Sequence, residues 1–161
     1  MKSVIEWKES LMNEKNLVPS WDDYFMEIAY VVSKRSPDIH TKHGCVLVDR
    51  NYRILSTGYN GPVSGIPNDV VPLTRPEKYD WLIHAEQNAI AFLRSNIVPW
   101  KAYVTGVPCP VCMRLLIQSG VRHIVFGKTQ SSCVNAETKE TSFKIAEYSG
   151  CVLESHNHTY N

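Results

Sequence analysis

Two short blocks of sequence constrain this chain more than any other feature. The first reads H-A-E-Q-N-A-I at 84–90 and the second reads P-C-P-V-C at 108–112. Cys109 and Cys112 are three residues apart, so on a helix they project from the same face. A helix N-terminus also favours the thiolate form that metals bind. With His84 as a third ligand, one tetrahedral position stays open, which is typical of a catalytic zinc site.

Glu86 indicates what such a metal would do. Zinc held by two thiolates and a neutral imidazole carries no net charge, so it should acidify a bound water less than zinc held by neutral ligands alone. A nearby base is therefore useful. The order H-x-E followed by P-C-x-x-C is the pattern of zinc nucleobase deaminases, in which the Glu is a general acid/base and not a ligand. We therefore predict that Glu86 takes a proton from the attacking water, passes it to the ring nitrogen and then helps the amine to leave.

Three other interpretations fit parts of this pattern. A structural zinc site should have a fourth ligand, and no further Cys or His lies close by in the motif. A chance C-x-x-C beside a core histidine is the second interpretation. The third is a zinc-binding interaction module without catalysis, which would not need Glu86.

Composition favours a small substrate. The chain has 161 residues, with 17 basic and 16 acidic side chains and a net charge of +1. That balance argues against a nucleic-acid surface, which usually needs a basic excess. The length predicts a single domain over 1–161, with its core at about 22–154.

Cysteine usage and hydropathy indicate the compartment. Two of the five cysteines belong to the metal motif, and we expect Cys45, Cys133 and Cys151 to be buried thiols rather than a disulfide framework. This favours a reducing compartment, the cytoplasm or the host cytoplasm if the source is viral. We expect no signal peptide, because the N-terminal stretch is charged and has no apolar core. No apolar run approaches the roughly 18 residues of a membrane span.

Hydrophobic periodicity predicts an α/β fold. A hairpin over 44–60 is followed by alternating helices and strands, which gives a mixed central sheet with helices on both faces. The segment 61–83 is rich in Pro and Gly and reads as a long functional loop. Predicted helices cover 3–16, 20–36, 85–95, 109–119 and 137–149, and the remaining strands cover 101–107, 121–127 and 151–154.

Together with S-T-G-Y-N-G-P at 56–62, these blocks resemble the cytidine deaminase superfamily and, within it, the dCMP deaminases, over roughly 22–127. The family usually has V-G-A where this chain has His43-Gly44-Cys45. The resemblance implies a three-layer α/β/α cytidine-deaminase-like fold. It also implies conversion of dCMP to dUMP and ammonia for thymidylate synthesis, with Zn²⁺ held by His84, Cys109 and Cys112. A deaminase of another cytosine nucleoside or nucleotide, or of a nucleic-acid base, is the alternative.

The resemblance also implies substrate contacts. The backbone N–H of Ala85 would bind the pyrimidine carbonyl, and Asn60 would bind the sugar hydroxyl. Asn60 can also be explained as a turn residue in Y-N-G-P, and the two roles can hold together. Backbone carbonyls from Thr105 to Val107 would lie beside the leaving amine.

A basic segment offers candidates for a phosphate site. Lys34, Arg35 and Ser36 lie in the polar stretch K-R-S-P-D-I-H-T-K-H, and Arg94 is a weaker candidate. Cations and N–H groups are the usual partners of phosphate. A solvated loop explains the same stretch equally well.

Regulation follows only from the resemblance. In similar enzymes the G-Y-N-G segment and the residues after it form an effector site, where dCTP activates and dTTP inhibits within a homohexamer. Mg²⁺ would accompany the triphosphate. A plain lid or a subunit contact is the alternative. The residues implied for this site are Gly58, Tyr59, Asn60, Gly61 and Gly65.

Overall fold

The computed structural model describes residues 3–6, 18–72 and 74–157. The predicted helix over 3–16 lies outside these residues except at its beginning. The helices are α1 (Trp21–Ser33), α2 (Ala85–Ala91), α3 (Pro110–Gln118) and α4 (Ala136–Tyr148). The strands are β1 (Gly44–Val48), β2 (Ile54–Tyr59), β3 (Gly61–Pro62), β4 (Leu82–Ile83), β5 (Lys101–Val104), β6 (His123–Phe126) and β7 (Val152–Ser155).

The central sheet is mixed, as predicted. Its five strands are ordered β2-β1-β5-β6-β7. Strand β1 is antiparallel to both of its neighbours, whereas β5, β6 and β7 run parallel. The β1–β2 pair is the predicted hairpin, and β1 also pairs antiparallel with β5. The parallel part comes from the alternating helices and strands.

Helices cover both faces of the sheet, which explains why every residue of β1 is buried. On one face, α1 packs Phe25 and Met26 against the strands. On the other face, α2 contributes Ala89 and α3 contributes Met113 and Leu116. The predicted arrangement of layers is confirmed: among the helices that the structure describes, α1 lies on one side of the sheet and the two metal-motif helices lie on the opposite side.

Helix α2 is shorter than predicted. It ends at Ala91 instead of Ser95, and the Arg94 side chain donates from Nη1 to the carbonyl of Ala91 at 2.8 Å. That contact satisfies a C-terminal carbonyl that has no partner within the helix, so the chain can turn there. Arg94 is thereby engaged at the helix end.

The long segment after Asn60 is tied at both ends. Strands β3 and β4 form a short antiparallel ladder, in which Gly61 pairs with Ile83. Two short 3-10 turns, Asn68–Val70 and Glu77–Asp80, lie between them. The ladder brings Asn60 and His84 together, although the chain between them is long.

Within the described ranges, no helix is both long and apolar enough to cross a membrane.

Asp22, in the first turn of α1, binds two side chains of β5. Its Oδ1 accepts hydrogen bonds from Lys101 Nζ and from the Tyr103 hydroxyl, each at 2.7 Å. Burial by itself raises the pKa of the Asp22 carboxyl, but these hydrogen bonds outweigh burial and hold the pKa below its ordinary value. The interaction therefore stabilises the fold above about pH 4 and is lost as the pH falls through the lowered pKa.

Asp22→Ala is expected to lower the free energy of unfolding by about 1–3 kcal/mol at neutral pH, because the buried Lys101 ammonium loses its carboxylate. The difference from wild type should narrow in acid, and urea unfolding at both pH values measures it. Glu140→Ala, which removes an exposed ion pair with Lys144, is the control and should leave stability unchanged. An Asp22→Ala variant as stable as this control would contradict the prediction.

Candidate functional site

The two sequence blocks meet at the N-termini of two helices. His84 is the N-cap of α2 and Cys109 is the N-cap of α3. Pro110 follows Cys109 at the first helical position, where the missing N–H costs nothing. Cys112 lies one turn into α3 and is fully buried. The structure thus places the three predicted ligands around one point.

The spacing of their donor atoms fits zinc. His84 Nδ1 lies 3.3 Å from Cys112 Sγ and 3.6 Å from Cys109 Sγ. All three donor atoms lie within 4.8 Å of one another. Tetrahedral zinc with Zn–S near 2.3 Å and Zn–N near 2.0 Å requires N···S separations of about 3.5 Å. The donor set and its geometry therefore fit a zinc ion bound through Nδ1.

The same three side chains share charge and protons. A hydrogen bond from Cys112 lowers the pKa of the Cys109 thiol to about 4, and the same shared proton raises the pKa of Cys112. A hydrogen bond with Cys109 raises the pKa of His84 to about 10. A metal ion that binds all three must displace their protons, which makes binding pH-dependent.

Glu86 is buried in the first turn of α2, with 6% of its surface exposed. Burial raises the pKa of its carboxyl, and the charge on His84 partly offsets that rise. A carboxyl with a raised pKa can both accept and return a proton near neutral pH, as a general acid/base must. Glu86 also lines the cavity beside the metal donors.

A cavity of about 600 Å³, counted with the space at its mouth, opens above this cluster. Of the predicted substrate residues, Asn60, Ala85 and Val107 line it. The other lining residues are Asp38, Thr41, His43, Arg75, Lys78, Tyr79, Leu82, His84, Glu86, Cys109, Ser131, Ser132 and Cys133.

The Asn60 side chain is fixed by the neighbouring loop. Its Oδ1 accepts from the backbone N–H of His43 at 2.7 Å, and its Nδ2 donates to the carbonyl of Thr41 at 2.9 Å. An amide nitrogen has a second hydrogen to donate. Asn60 therefore serves the turn, as one interpretation predicts, and keeps a donor for a ligand in the cavity.

The residues predicted to bind the phosphate do not line this cavity. None of Lys34, Arg35 and Ser36 is among the residues that line the cavity. Lys34 is exposed at the C-cap of α1, and Arg35 lies over the Tyr59 ring at 5.9 Å. The Ser36 hydroxyl donates to the carbonyl of Asn60 at 2.7 Å. That contact holds the backbone of Asn60 in place, so Ser36 has a structural role.

Two cations that sequence reasoning missed line the cavity instead. Lys78 is buried and forms a 2.8 Å ion pair with Asp38, while Arg75 is exposed. Both lie within the Pro- and Gly-rich segment that was expected to be functional. They are the two basic residues of that segment, and this was the sequence signal that could have found them.

The residues predicted to bind an effector also have structural roles in the fold, which differ from one residue to the next. A Cβ on Gly58 would lie 2.3 Å from the carbonyl oxygen of Ala85, so glycine is needed there for α2 to pack on β2. Gly65 has φ of +91°, which favours glycine in a turn. Tyr59 supports Arg35, and Gly61 belongs to β3. Of this set, Asn60 lines the cavity.

Comparison with known proteins places these features in context. A model of the cytidine and deoxycytidylate deaminase zinc-binding region matches residues 19–128. Human deoxycytidylate deaminase is 35% identical over 113 residues, which are 66% of this chain and 64% of the human protein. A probable deoxycytidylate deaminase of Caenorhabditis elegans is 40% identical over 107 residues, covering 63% of this chain and 54% of that protein. The match thus spans less than two thirds of these relatives.

A solved structure supports the same fold. The dCMP deaminase of the cyanophage S-TIM5, in its apo form, superimposes with a TM-score of 0.67 at 26% identity. The alignment covers 87% of this chain and all of the phage protein. The predicted cytidine-deaminase-like α/β fold is therefore confirmed.

Proposed function

Because this chain belongs to the cytidine and deoxycytidylate deaminase family, we propose that it is a single zinc-dependent deaminase domain that hydrolyses dCMP to dUMP and ammonia. One observation carries the proposal: the buried Glu86 carboxyl lines an open cavity directly beside the His84, Cys109 and Cys112 donors. The choice of dCMP is supported by the similarity to the human and cyanophage enzymes. The expected product would supply thymidylate synthesis.

In this proposal the zinc ion supplies Lewis acidity that makes a water nucleophilic. The chain's own contribution is proton transfer. The Glu86 carboxylate accepts a proton from the attacking water and delivers it to the pyrimidine nitrogen beside the reacting carbon. The same carboxylate then takes the remaining proton from the hydroxyl group added to the ring carbon and passes it to the amine, which departs as ammonia while the carbonyl forms.

Three cavity residues would orient the base and the sugar. The backbone N–H of Ala85, at the start of α2, would donate to the pyrimidine carbonyl. The second Nδ2 hydrogen of Asn60 would donate to a sugar hydroxyl, which its fixed orientation supports. The carbonyl of Val107, just before α3, would accept from the leaving amine. Each of these residues lines the cavity.

For the phosphate we propose Arg75, with Lys78 deeper in the cavity. Lys78 is already paired with Asp38, so much of its charge is neutralised. Arg75 is an exposed guanidinium on the cavity lining, and guanidinium groups bind phosphate with two parallel hydrogen bonds. Lys34, Arg35 and Ser36 stay predictions from sequence, and their position outside the lining favours Arg75 over them.

Arg75→Ala is expected to raise KM for dCMP by about 10–100-fold, because charged hydrogen bonds contribute about 1.5–3 kcal/mol. KM for deoxycytidine, which has no phosphate, should change little. Steady-state kinetics on both substrates gives the comparison, with Arg35→Ala as a control that removes a cation outside the lining. A selective loss in Arg35→Ala instead would contradict this assignment and favour the sequence-based one.

The function itself is tested by an ultraviolet assay of the purified protein on dCMP, CMP, deoxycytidine, dCTP and single-stranded DNA. Turnover of dCMP well above that of the others is expected. Preference for single-stranded DNA would identify a nucleic-acid deaminase, and absence of turnover in the zinc-loaded protein would indicate the non-catalytic module. Preference for CMP or deoxycytidine would keep the chemistry and change the substrate.

The proposal includes regulation by dCTP as activator and dTTP as inhibitor, with Mg²⁺ on the triphosphate, in a homohexamer. Its support is the position of the segment between β3 and β4, which joins Asn60 to His84 and lines the cavity. A ligand that orders this segment must therefore affect substrate binding in the cavity. The same dCMP saturation curves, repeated with each triphosphate and magnesium, test it, and curves that neither shifts would contradict it.

A further inference from the structure

Cys133 contacts the imidazole of His84 on the side opposite the other thiols. Its Sγ lies 3.8 Å from His84 Nε2, whereas Nδ1 of the same ring lies 3.3 Å from Cys112 Sγ. The ring is therefore held between sulfur atoms at both nitrogens. Neither the zinc motif nor the proton transfer by Glu86 accounts for this second contact.

The position of Cys133 is fixed by hydrogen bonds at the N-terminus of α4. Its backbone N–H donates to Ser131 Oγ at 3.2 Å, and its carbonyl accepts from the Thr138 hydroxyl at 3.5 Å. Thr138 in turn exchanges hydrogen bonds of 2.9 Å with Asn135, the N-cap of this helix. These contacts tie the loop before α4 to the helix. The sulfur is therefore presented to His84 by an anchored backbone.

The chemistry of a bound imidazole gives the contact a direction. When Nδ1 binds a cation, the remaining ring proton of a neutral histidine is on Nε2, which must then donate. A cysteine sulfur is a weak acceptor, and its contact with Nε2 lies within hydrogen-bond range for sulfur. Groups that accept from the second nitrogen of a metal-bound histidine fix its tautomer and orientation.

We propose that Cys133 is a positioning residue, which accepts a hydrogen bond from His84 Nε2 and holds the ring so that Nδ1 points at the zinc. The inference rests on the zinc site of the proposed function. Cys133 does not belong to the set of donors that lie within 4.8 Å of one another, namely His84, Cys109 and Cys112. Its role is therefore to orient a ligand, and the zinc keeps its open position.

The test compares Cys133→Ala and Cys133→Ser with Cys151→Ala. Cys133 is half-buried rather than buried as predicted, and Cys151 is a second free thiol, buried just before β7. Competition with a chromogenic chelator measures the zinc dissociation constant without depending on turnover. Cys133→Ala should bind zinc about 10–100-fold more weakly, as is typical when the acceptor behind a metal-bound histidine is lost. Cys133→Ser, which keeps an acceptor, should recover most of the affinity, and Cys151→Ala should match wild type.

Cobalt substitution separates positioning from ligation. The thiolate-to-cobalt charge-transfer absorption scales with the number of sulfur ligands, so it should be unchanged in cobalt-saturated Cys133→Ala. Loss of part of that band would make Cys133 a ligand and overturn the positioning role. Unchanged zinc affinity in Cys133→Ala would overturn it as well.

Two further outcomes are distinguishable. Equal weakening in the alanine and serine variants, with a lower melting temperature of the zinc-free proteins, would assign Cys133 to loop stability and overturn the inference alone. A wild-type protein that binds no zinc would overturn the proposed function together with the inference.

Discussion

Glu86→Gln is expected to lower kcat for dCMP by about 10²–10⁴-fold, the range that a positioned general acid/base contributes. Glutamine has nearly the same shape as glutamate, so the packing at the start of α2 should persist. Its amide cannot accept the proton of the attacking water. Because Glu86 is almost fully buried, bulk solvent is poorly placed to replace it.

Zinc content and thermal unfolding, measured on the same preparation, show whether the lower kcat comes from lost proton transfer and not from lost zinc or lost folding. The variant should retain zinc, since Glu86 is not among the clustered donors. Glu140→Gln, an exposed carboxyl on α4, is the matched control and should keep wild-type kinetics. A zinc-loaded Glu86→Gln enzyme with the wild-type rate would rule out the proposed proton transfer.

The metal site could be predicted from sequence because its information is local. Cys109 and Cys112 are one helical turn apart, and the residues around them dictate where α3 starts. His84 is 25 residues earlier than Cys109, yet it also precedes a helix that begins at the next residue. Two helix N-termini on the same side of the sheet converge on one point, which explains why the motif translated directly into geometry.

The alternation of helices and strands predicted the sheet for a similar reason. Strand β1 reads as a continuous apolar run, and the structure buries it on both faces. The end of a helix is harder to predict from sequence when it depends on a side chain that forms a hydrogen bond with the backbone. Helix α2 ends at Ala91, where Arg94 donates to the carbonyl of Ala91, and no feature of the apolar pattern marks that position.

The residues around the mouth of the cavity could not be predicted, because they meet through long-range contacts. Lys78 reaches Asp38 across 40 positions, and Cys133 reaches His84 across 49. Sequence reasoning favoured Lys34 and Arg35 because charge is visible along the chain. Because β3 and β4 form a short ladder, Arg75 in the segment between them lies on the lining of the cavity instead. The cluster of charge in the sequence therefore does not coincide with the cations that line the cavity.

Removal of a metal ligand should have the largest effect of all, because it abolishes the nucleophile and not just a proton transfer. His84→Ala, Cys109→Ala and Cys112→Ala should each lose zinc and activity together. Zinc bound to wild type should be about one ion per chain, since the three donors define one site. Metal analysis after dialysis, paired with the dCMP assay, gives both quantities on one sample.

Stability supplies an independent readout of the same site. A ligand that binds only the folded state stabilises it by RT ln(1 + [L]/Kd), about 2.7 kcal/mol when free zinc is at 100 times Kd. A chelator should therefore lower the melting temperature of wild type, and restoring zinc should reverse that change. The ligand variants should respond to neither treatment, whereas Glu86→Gln should respond to both. A Cys112→Ala protein that keeps one zinc per chain and the wild-type thermal response would show that its buried sulfur is not a ligand, and the proposed centre would have to be built from other donors.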